Sequence, residues 1–462
     1  MSDSAPVTLS ILRPAAGGES IAHHDGRTVF VTGAIPGETV DAVLTGASNR
    51  VLRATVTAVR EASPHRVPDR REAMGVPGAG GIEFAHVALA HSRTLKEEAA
   101  ADQLRRIGGI DPAAVGFALH PAPSEDLAAG VDDTTAEAGT RWRTRVQSAV
   151  APDGRPGMLA AGSHRVVPVE GDALPLAVPE LDALRLTRRR FPGVTRIELA
   201  AGTDSGAIVL RGPDAAAAAR DLVPVVQQVP GDWSVLSAAT PPAPQARSAA
   251  QRTGGRRARG RGGRNRGGGA AVPLTLHAGS GSVTETVPGL GRSLRVRGAG
   301  FWQVHRDAAA LLTRAVRSAV GEPGDGLVLD LYSGAGLLGI ALAEDGHRVL
   351  GIEGSAEAVE DARANAHGLD ARFTAGRVET AALVADARVA VLDPPRAGAG
   401  AAVVDALTAS AVERIVHVAC DGATLARDLR RLTDGGFRID SVVAHDLFPL
   451  TGHLEFVAVL SR

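Results

Sequence analysis

The stretch LVLDLYSGAGLLGIALAEDGHRVLGIE, residues 327–353, decides the fold. LVLDL is a short apolar run that predicts a buried strand, and SGAG after it predicts a tight turn built on Gly334 and Gly336. LLGIALAED then reads as a helix and RVLGIE as a second strand, which ends in Glu353, 17 residues after Gly336. Glycines in such a turn let the backbone approach a ligand, and open α/β sheets bind ligands at the carboxyl ends of their strands. An acid at the end of the second strand is placed to hold the two hydroxyls of a ribose. An ordinary βα turn also carries glycines. The strand, turn, helix, strand and terminal acid together narrow the reading to a nucleoside-binding sheet.

Working outward, ARFTAG, RVAVLDPP, RIVHVAC, FRIDSVVAHD and HLEFVAVL are further strand candidates, with helical runs between the earlier ones. This alternation predicts a doubly wound, largely parallel α/β sheet from about residue 290, closed by an antiparallel hairpin. Gly339 follows Gly336 three residues on, without the third glycine of a dinucleotide fingerprint. A ligand with a ribose and no pyrophosphate, S-adenosylmethionine, is the better match. VLDPPR (391–396) ends the fourth strand, and its two prolines force a non-helical exit that aims Asp393 into the crevice.

The only cysteine of the 462 residues, Cys420, falls at the end of the fifth strand, on the same edge as Gly334 and Asp393. A lone cysteine is ordinarily a small buried hydrophobe. Here the helix ATLARDLRRL starts just beyond it, and its free N–H groups are expected to lower the thiol pKa from the usual value of about 8.5. Glu455 stands near the start of the last strand, within reach of Cys420 if that strand is antiparallel; a solvated charge is the bland alternative.

The rest of the chain divides by composition. Residues 1–62 carry four or five short β-rich segments between turn signals, the trace of a small OB-like barrel. Residues 63–238 mix helical and β-like runs, an α+β domain in which SRTLKEEAAADQLRRIGGI (92–110) and ALPLAVPELDALRLTRRR (173–190) read as helical and 121–140 as loop. Residues 239–271 form an Arg/Gly-rich linker with eight Arg and eight Gly between 247 and 269 and no acid. Such a segment is expected to be disordered and to contact nucleic-acid phosphates, a flexible spacer being the alternative. Residues 272–462 hold the ligand-binding sheet.

Composition sets limits. The 50 basic and 51 acidic residues leave no net charge to indicate a partner, and 49 of the 50 are arginine, Lys96 being the exception. One cysteine supplies neither an internal disulfide nor a thiolate metal site. With no long apolar run and no signal-like start in MSDSAPVTLSILRP, the expected setting is the cytoplasm, without a membrane partner.

The motif series FWQVH (301–305), DLYSGAG, GIEGSAEAVEDARANA (351–366), VLDPPRAG, ACDGATLARDL and DLFPLTGHLE (446–455) resembles that of the S-adenosylmethionine-dependent RNA uracil C5-methyltransferases, and the N-terminal barrel resembles the TRAM domain of their ribosomal-RNA type. The resemblance implies a Rossmann-like class I methyltransferase sheet and RNA, ribosomal rather than transfer RNA, as substrate. It implies that Gln303, Tyr332, Gly334, Gly336, Glu353 and Asp393 bind the cofactor, that Cys420 is the nucleophile and that Glu455 is the base. Four departures stand out. Asp421-Gly422 follows the nucleophile where the family commonly has Asn-Pro, Leu337 replaces a polar residue, and His305 replaces the Asn that ends FxQxN. Many members also hold an iron–sulfur cluster on four cysteines; here Ala73, Ala79, Ile82 and Ala173 fill those positions, so no cluster is expected and these residues should pack as core. The sequence leaves open which nucleotide is modified and the oligomeric state. Two rivals remain: cytosine C5 methylation, whose RNA enzymes release product with a second cysteine that this chain lacks, and a catalytically impaired RNA-binding protein that keeps the methyltransferase fold.

Overall fold

The computed structural model describes residues 5–47, 51–126, 132–239, 273–380 and 386–462. The Arg/Gly-rich linker, save Ala239, lies outside the described residues. Among the described residues no helix is long and apolar enough to cross a membrane.

The N-terminal part is a six-stranded sheet in the spatial order Val7–Ser10, Thr39–Ala47, Val51–Glu61, Arg27–Thr32, Glu19–His24, Arg13–Pro14. Its first strand curls back beside Glu19–His24, making a half-barrel. Alternate residues Val29 and Val31, Val40 and Ala42, and Leu52 and Ala54 fill its core, the period-two pattern of a sheet with one buried face. Glu19–His24 was not legible as a strand because Ile21 is its only β-branched residue.

The central part is a seven-stranded sheet ordered Val166–Pro168, Pro156–Leu159, Arg145–Val150, Arg196–Gly202, Ser205–Arg211, Asp232–Ala238, Thr275–Ala278, with the helix Ala215–Val226 packed on it. The helix expected over 92–110 runs Leu89–Gln103, continues as one π turn over Leu104–Gly108 and stops at Gly109 in the left-handed region. The loop expected over 121–140 contains a short helix, Pro123–Asp126. The helix expected over 173–190 is not there. Only two 3-10 turns form, Pro179–Leu184 and Leu186–Arg188, because Leu176 and Arg185 adopt positive φ and Pro175 and Pro179 interrupt the backbone. Its leucines are buried, so the apolar pattern reported packing rather than helix.

Of the four residues at the cluster positions, Ala79 and Ile82 are fully buried in the central core, which also holds Trp142 and Leu176. The expectation that all four pack as core fails for the other two. Ala73 ends the one-turn helix Arg70–Ala73 facing solvent, and Ala173 is half-buried at a bend.

The C-terminal sheet has eight strands, ordered Ala371–Ala375, Val349–Glu353, Leu327–Leu331, Ala387–Leu392, Arg414–Ala419, Glu455–Ser461, Arg438–Asp446, Ala118–Pro121. The first five run parallel, and Glu455–Ser461 is antiparallel to both its neighbours. The eighth strand comes from far earlier in the chain and pairs in parallel with Arg438–Asp446. Leu327–Leu331 is buried along its whole length, as a central parallel strand covered on both faces must be. Leu331 pairs with both Ile352 and Leu392, so Tyr332, Glu353 and Asp393 emerge together at one edge. Ala419 pairs with Phe456, and one step further the antiparallel register sets Cys420 opposite Glu455.

Candidate active site

The first turn is shaped by two glycines and one acid. Gly336 opens the helix Leu337–Glu344 at φ 92°, and a Cβ there would stand 2.9 Å from Ile340 Cδ1. Gly339 lets Asp330, buried inside the strand, accept its backbone N–H at 2.9 Å; a Cβ would come within 2.6 Å of that carboxylate. Burial pushes the Asp330 carboxyl up to about 7 against the pull of that bond. Sequence reading passed over Asp330, although an acid inside LVLDL was the signal.

Beside this turn, Glu353 accepts backbone N–H bonds from Gly334 at 3.1 Å and Ser355 at 2.7 Å. Tyr332 sits in the left-handed region at φ 66°, its hydroxyl donating to the Ala399 carbonyl at 3.3 Å. The buried Ser333 hydroxyl has no hydrogen-bond partner among the described residues. Across the crevice, Gln303 Nε2 donates to Asp393 Oδ2 at 3.3 Å, which joins FWQVH to VLDPPR. Burial raises the Asp393 carboxyl to about 6, opposed by His417 and the Gln303 bond. His305, the departure from FxQxN, is buried, accepts the Asp307 N–H on Nδ1 at 3.0 Å and stacks on Trp142. Leu337, the other departure in this region, is buried at the helix start.

Cys420 is half-buried and Glu455 is buried. The helix Gly422–Asp434 does start beside the thiol, and Asp421 caps it by accepting the Thr424 N–H at 2.9 Å. The expected lowering of the thiol pKa does not follow. Burial pushes the Cys420 thiol up to about 11, Glu455 and Asp393 add to the rise, and Arg396 opposes it. Desolvation is the largest influence on the thiol and outweighs the charges and dipoles that would lower its pKa. Burial and the neighbouring Asp393 hold the Glu455 carboxyl well above the usual carboxylate range, again opposed by Arg396. Arg396 Nη2 lies 3.3 Å from His453 Nε2. A cavity of about 120 Å³ opens on Cys420, lined also by Ala15–Gly18 of the half-barrel, Gln103, Gly452 and Phe456.

All the sequence-chosen residues therefore lie along one sheet edge, in two groups. Tyr332, Gly334, Gly336 and Glu353 form or flank the first turn; the strand register places Cys420 next to Glu455, and Gln303 is bonded to Asp393. A glycine turn flanked by two carboxylates, with a buried hydroxyl left unpaired among the described residues, fits a ligand with ribose hydroxyls and a positive centre. Sequence reading missed what braces the second group, namely Lys96 and His453, because the partners of each are distant in sequence.

The tRNA (uracil-5-)-methyltransferase family profile matches residues 377–462 and the TRAM domain profile residues 6–57. An uncharacterized RNA methyltransferase of Streptomyces avermitilis is 35% identical over 96% of this chain and 96% of its own. The 23S rRNA (uracil(1939)-C(5))-methyltransferase of Alkalilimnicola ehrlichii is 31% identical over 99% of this chain and 97% of its own. The tRNA (uracil-54, C5)-methyltransferase of Pyrococcus abyssi, solved with S-adenosyl-L-homocysteine, superposes with a TM-score of 0.68 over 98% of this chain and 99% of its own; at 21% identity that likeness speaks for the fold alone.

Proposed function

The chain belongs to the S-adenosylmethionine-dependent RNA uracil C5-methyltransferases with a TRAM domain, and from that premise we propose that it forms 5-methyluridine in ribosomal RNA through a covalent bond between Cys420 and C6 of the base. The observation that carries this reading is the opposition of Cys420 and Glu455 across an antiparallel pair, at the edge where Gln303 and Asp393 meet. The assignment to ribosomal RNA draws on the 23S rRNA relative and the TRAM match.

In this reading Glu353 would hold ribose hydroxyls, Tyr332 and the Gly334–Gly336 turn would seat the nucleoside, and Asp393 with Gln303 would bind the charged end of the cofactor. Bound S-adenosylmethionine supplies an electrophilic methyl group on a positive sulfur. Uracil C5 is a weak nucleophile until a thiolate adds at C6, which makes an enolate with its electron pair at C5. Cys420 would therefore form the S–C6 bond, and the electron pair at C5 would take the methyl group while the positive sulfur keeps the electrons of the bond it loses and becomes a neutral thioether. Glu455 then takes the C5 proton, the C5–C6 double bond re-forms, and the S–C6 bond breaks to free Cys420. Glu455 must be ionised to act in that step, and Arg396 is the charge that favours its carboxylate form. With its pKa pushed up to about 11, the Cys420 thiol must lose its proton to water before it adds, and the Arg396 charge favours that loss. The target base must leave its stack to reach an edge walled by the half-barrel loop and the Gly452 turn.

Mass mapping of 5-methyluridine in ribosomal and transfer RNA, from cells with and without the gene, tests the reading. Loss of one 5-methyluridine from 23S rRNA is expected. Loss from transfer RNA alone would move the substrate, loss of 5-methylcytidine would change the base, and no change in any RNA would favour an RNA-binding protein without activity.

A further inference from the structure

Lys96, the one basic residue that is not arginine, lies on the helix Leu89–Gln103 and is almost wholly buried. Its Nζ donates to Asp446 Oδ1 at 2.7 Å, to the Phe448 carbonyl at 3.0 Å and to the His453 carbonyl at 3.3 Å. Three acceptors thus converge on the three donors of one ammonium group. A guanidinium presents its donors in a flat, rigid fork and does not reproduce that arrangement. Arg93 shares Asp446 through its other oxygen at 3.2 Å, so the buried carboxylate keeps a second cation.

The three acceptors bracket the loop 447–454, which connects the last two strands of the catalytic sheet. Its middle is held elsewhere: Phe84 donates its N–H to the Leu450 carbonyl at 2.9 Å, and Gly452 donates to Glu83 Oε2 at 3.1 Å. Its end, His453, is fixed at the backbone by Lys96. The His453 ring meets Arg396 Nη2 at 3.3 Å, and His453 and Lys96 line the same cavity as Cys420; Arg396 is the cation that opposes the upward push on both Cys420 and Glu455. A continuous chain of contacts therefore runs from a helix of the central part to the charge facing the thiol.

We propose that Lys96 is a positioning residue for the methyl-transfer site: it fixes the His453 end of the 447–454 loop and thereby holds the Arg396 guanidinium toward Cys420 and Glu455. The catalytic part of this inference rests on the function proposed above; the electrostatic part does not.

Because Cys420 is the only thiol, its alkylation by iodoacetamide in the full-length protein reads the electrostatic part without RNA or cofactor. At one mildly alkaline pH the rate follows the thiolate fraction, so each unit of added pKa slows it about tenfold. Lys96→Arg, which keeps the charge, and Lys96→Met should both slow alkylation. Arg396→Gln should slow it as well, and the Lys96→Arg/Arg396→Gln double variant should slow it no further than Arg396→Gln alone, because both act through one path. In methyl transfer Lys96→Arg should lower kcat while leaving KM for S-adenosylmethionine unmoved. Faster alkylation would mean that the loop merely loosened and exposed the thiol; that result, unchanged alkylation, or additive slowing in the double variant would each overturn the proposal. If Lys96→Met fails to fold, Lys96→Arg decides. A wild-type protein that transfers no methyl group would remove the proposed function and leave the alkylation comparison to judge Lys96 by itself.

Discussion

Two regions deal with buried polarity in opposite ways. At two of the positions where the family resemblance implies cluster-ligating cysteines, the chain has the apolar Ala79 and Ile82, fully buried in the core that also holds Trp142 and Leu176. At the carboxyl edge of the C-terminal sheet it buries Asp330 and Glu455 and half-buries Asp393 and a thiol, all pushed up in pKa by desolvation. A packed apolar site needs nothing beyond contact to be stable. Buried carboxyl groups and a buried thiol are electrostatically unfavourable unless a ligand or reaction uses them, and perturbed groups gathered in one crevice mark function. The edge should therefore govern activity and the apolar site stability.

Substitutions that cross this division offer ways to break it. Cys420→Ala should have the largest effect, abolishing methyl transfer to RNA while cofactor affinity and thermal midpoint stay at wild-type values; measurable turnover would end the nucleophile assignment. Glu455→Gln should lower turnover by about 10²–10⁴-fold, the range for loss of a general base, and should leave RNA covalently attached to the protein on denaturing gels. On the other side, Ile82→Ala should reduce unfolding free energy by about 2–5 kcal/mol in chemical denaturation, with activity per folded molecule unchanged. Asp421→Ala removes a helix cap beside the thiol and should destabilise by about 1 kcal/mol, a modest shift that calibrates how far the edge itself carries stability. The smallest effect is expected from deleting residues 247–269, which should weaken RNA binding and flatten its dependence on salt; identical binding at low salt would make the segment a spacer.

The parallel strands were legible because each is a short apolar run closed by Gly, Pro or an acid, and LVLDL, RVLGIE and RVAVLDPP formed as read. That legibility carried the placement of Tyr332, Glu353, Asp393 and Cys420 on one edge, since parallel strands share the side at which they end. Segment 173–190 was misread because burial makes a strand, a helix and an irregular packed loop equally apolar; the positive φ at Leu176 and Arg185 leaves no mark in composition. Ala118–Pro121 gave no strand signal, being four residues with a terminal proline. The Lys96–Asp446 bond joins residues 350 apart in sequence, a contact fixed by tertiary packing that no local pattern encodes. The thiol pKa was misjudged in direction because a helix start is visible in sequence whereas desolvation is not.

The central claim is that Cys420 bonds to the base it methylates. Incubating the protein with S-adenosylmethionine and target RNA that carries 5-fluorouridine tests it most directly, because fluorine at C5 cannot leave as a proton and the adduct is trapped. Peptide mass spectrometry should find the methylated fluorouracil nucleotide on the peptide that contains Cys420 and nowhere else. Formation of 5-methyluridine in ordinary RNA without any adduct in the fluorinated one, or an adduct on a different residue, would contradict the account.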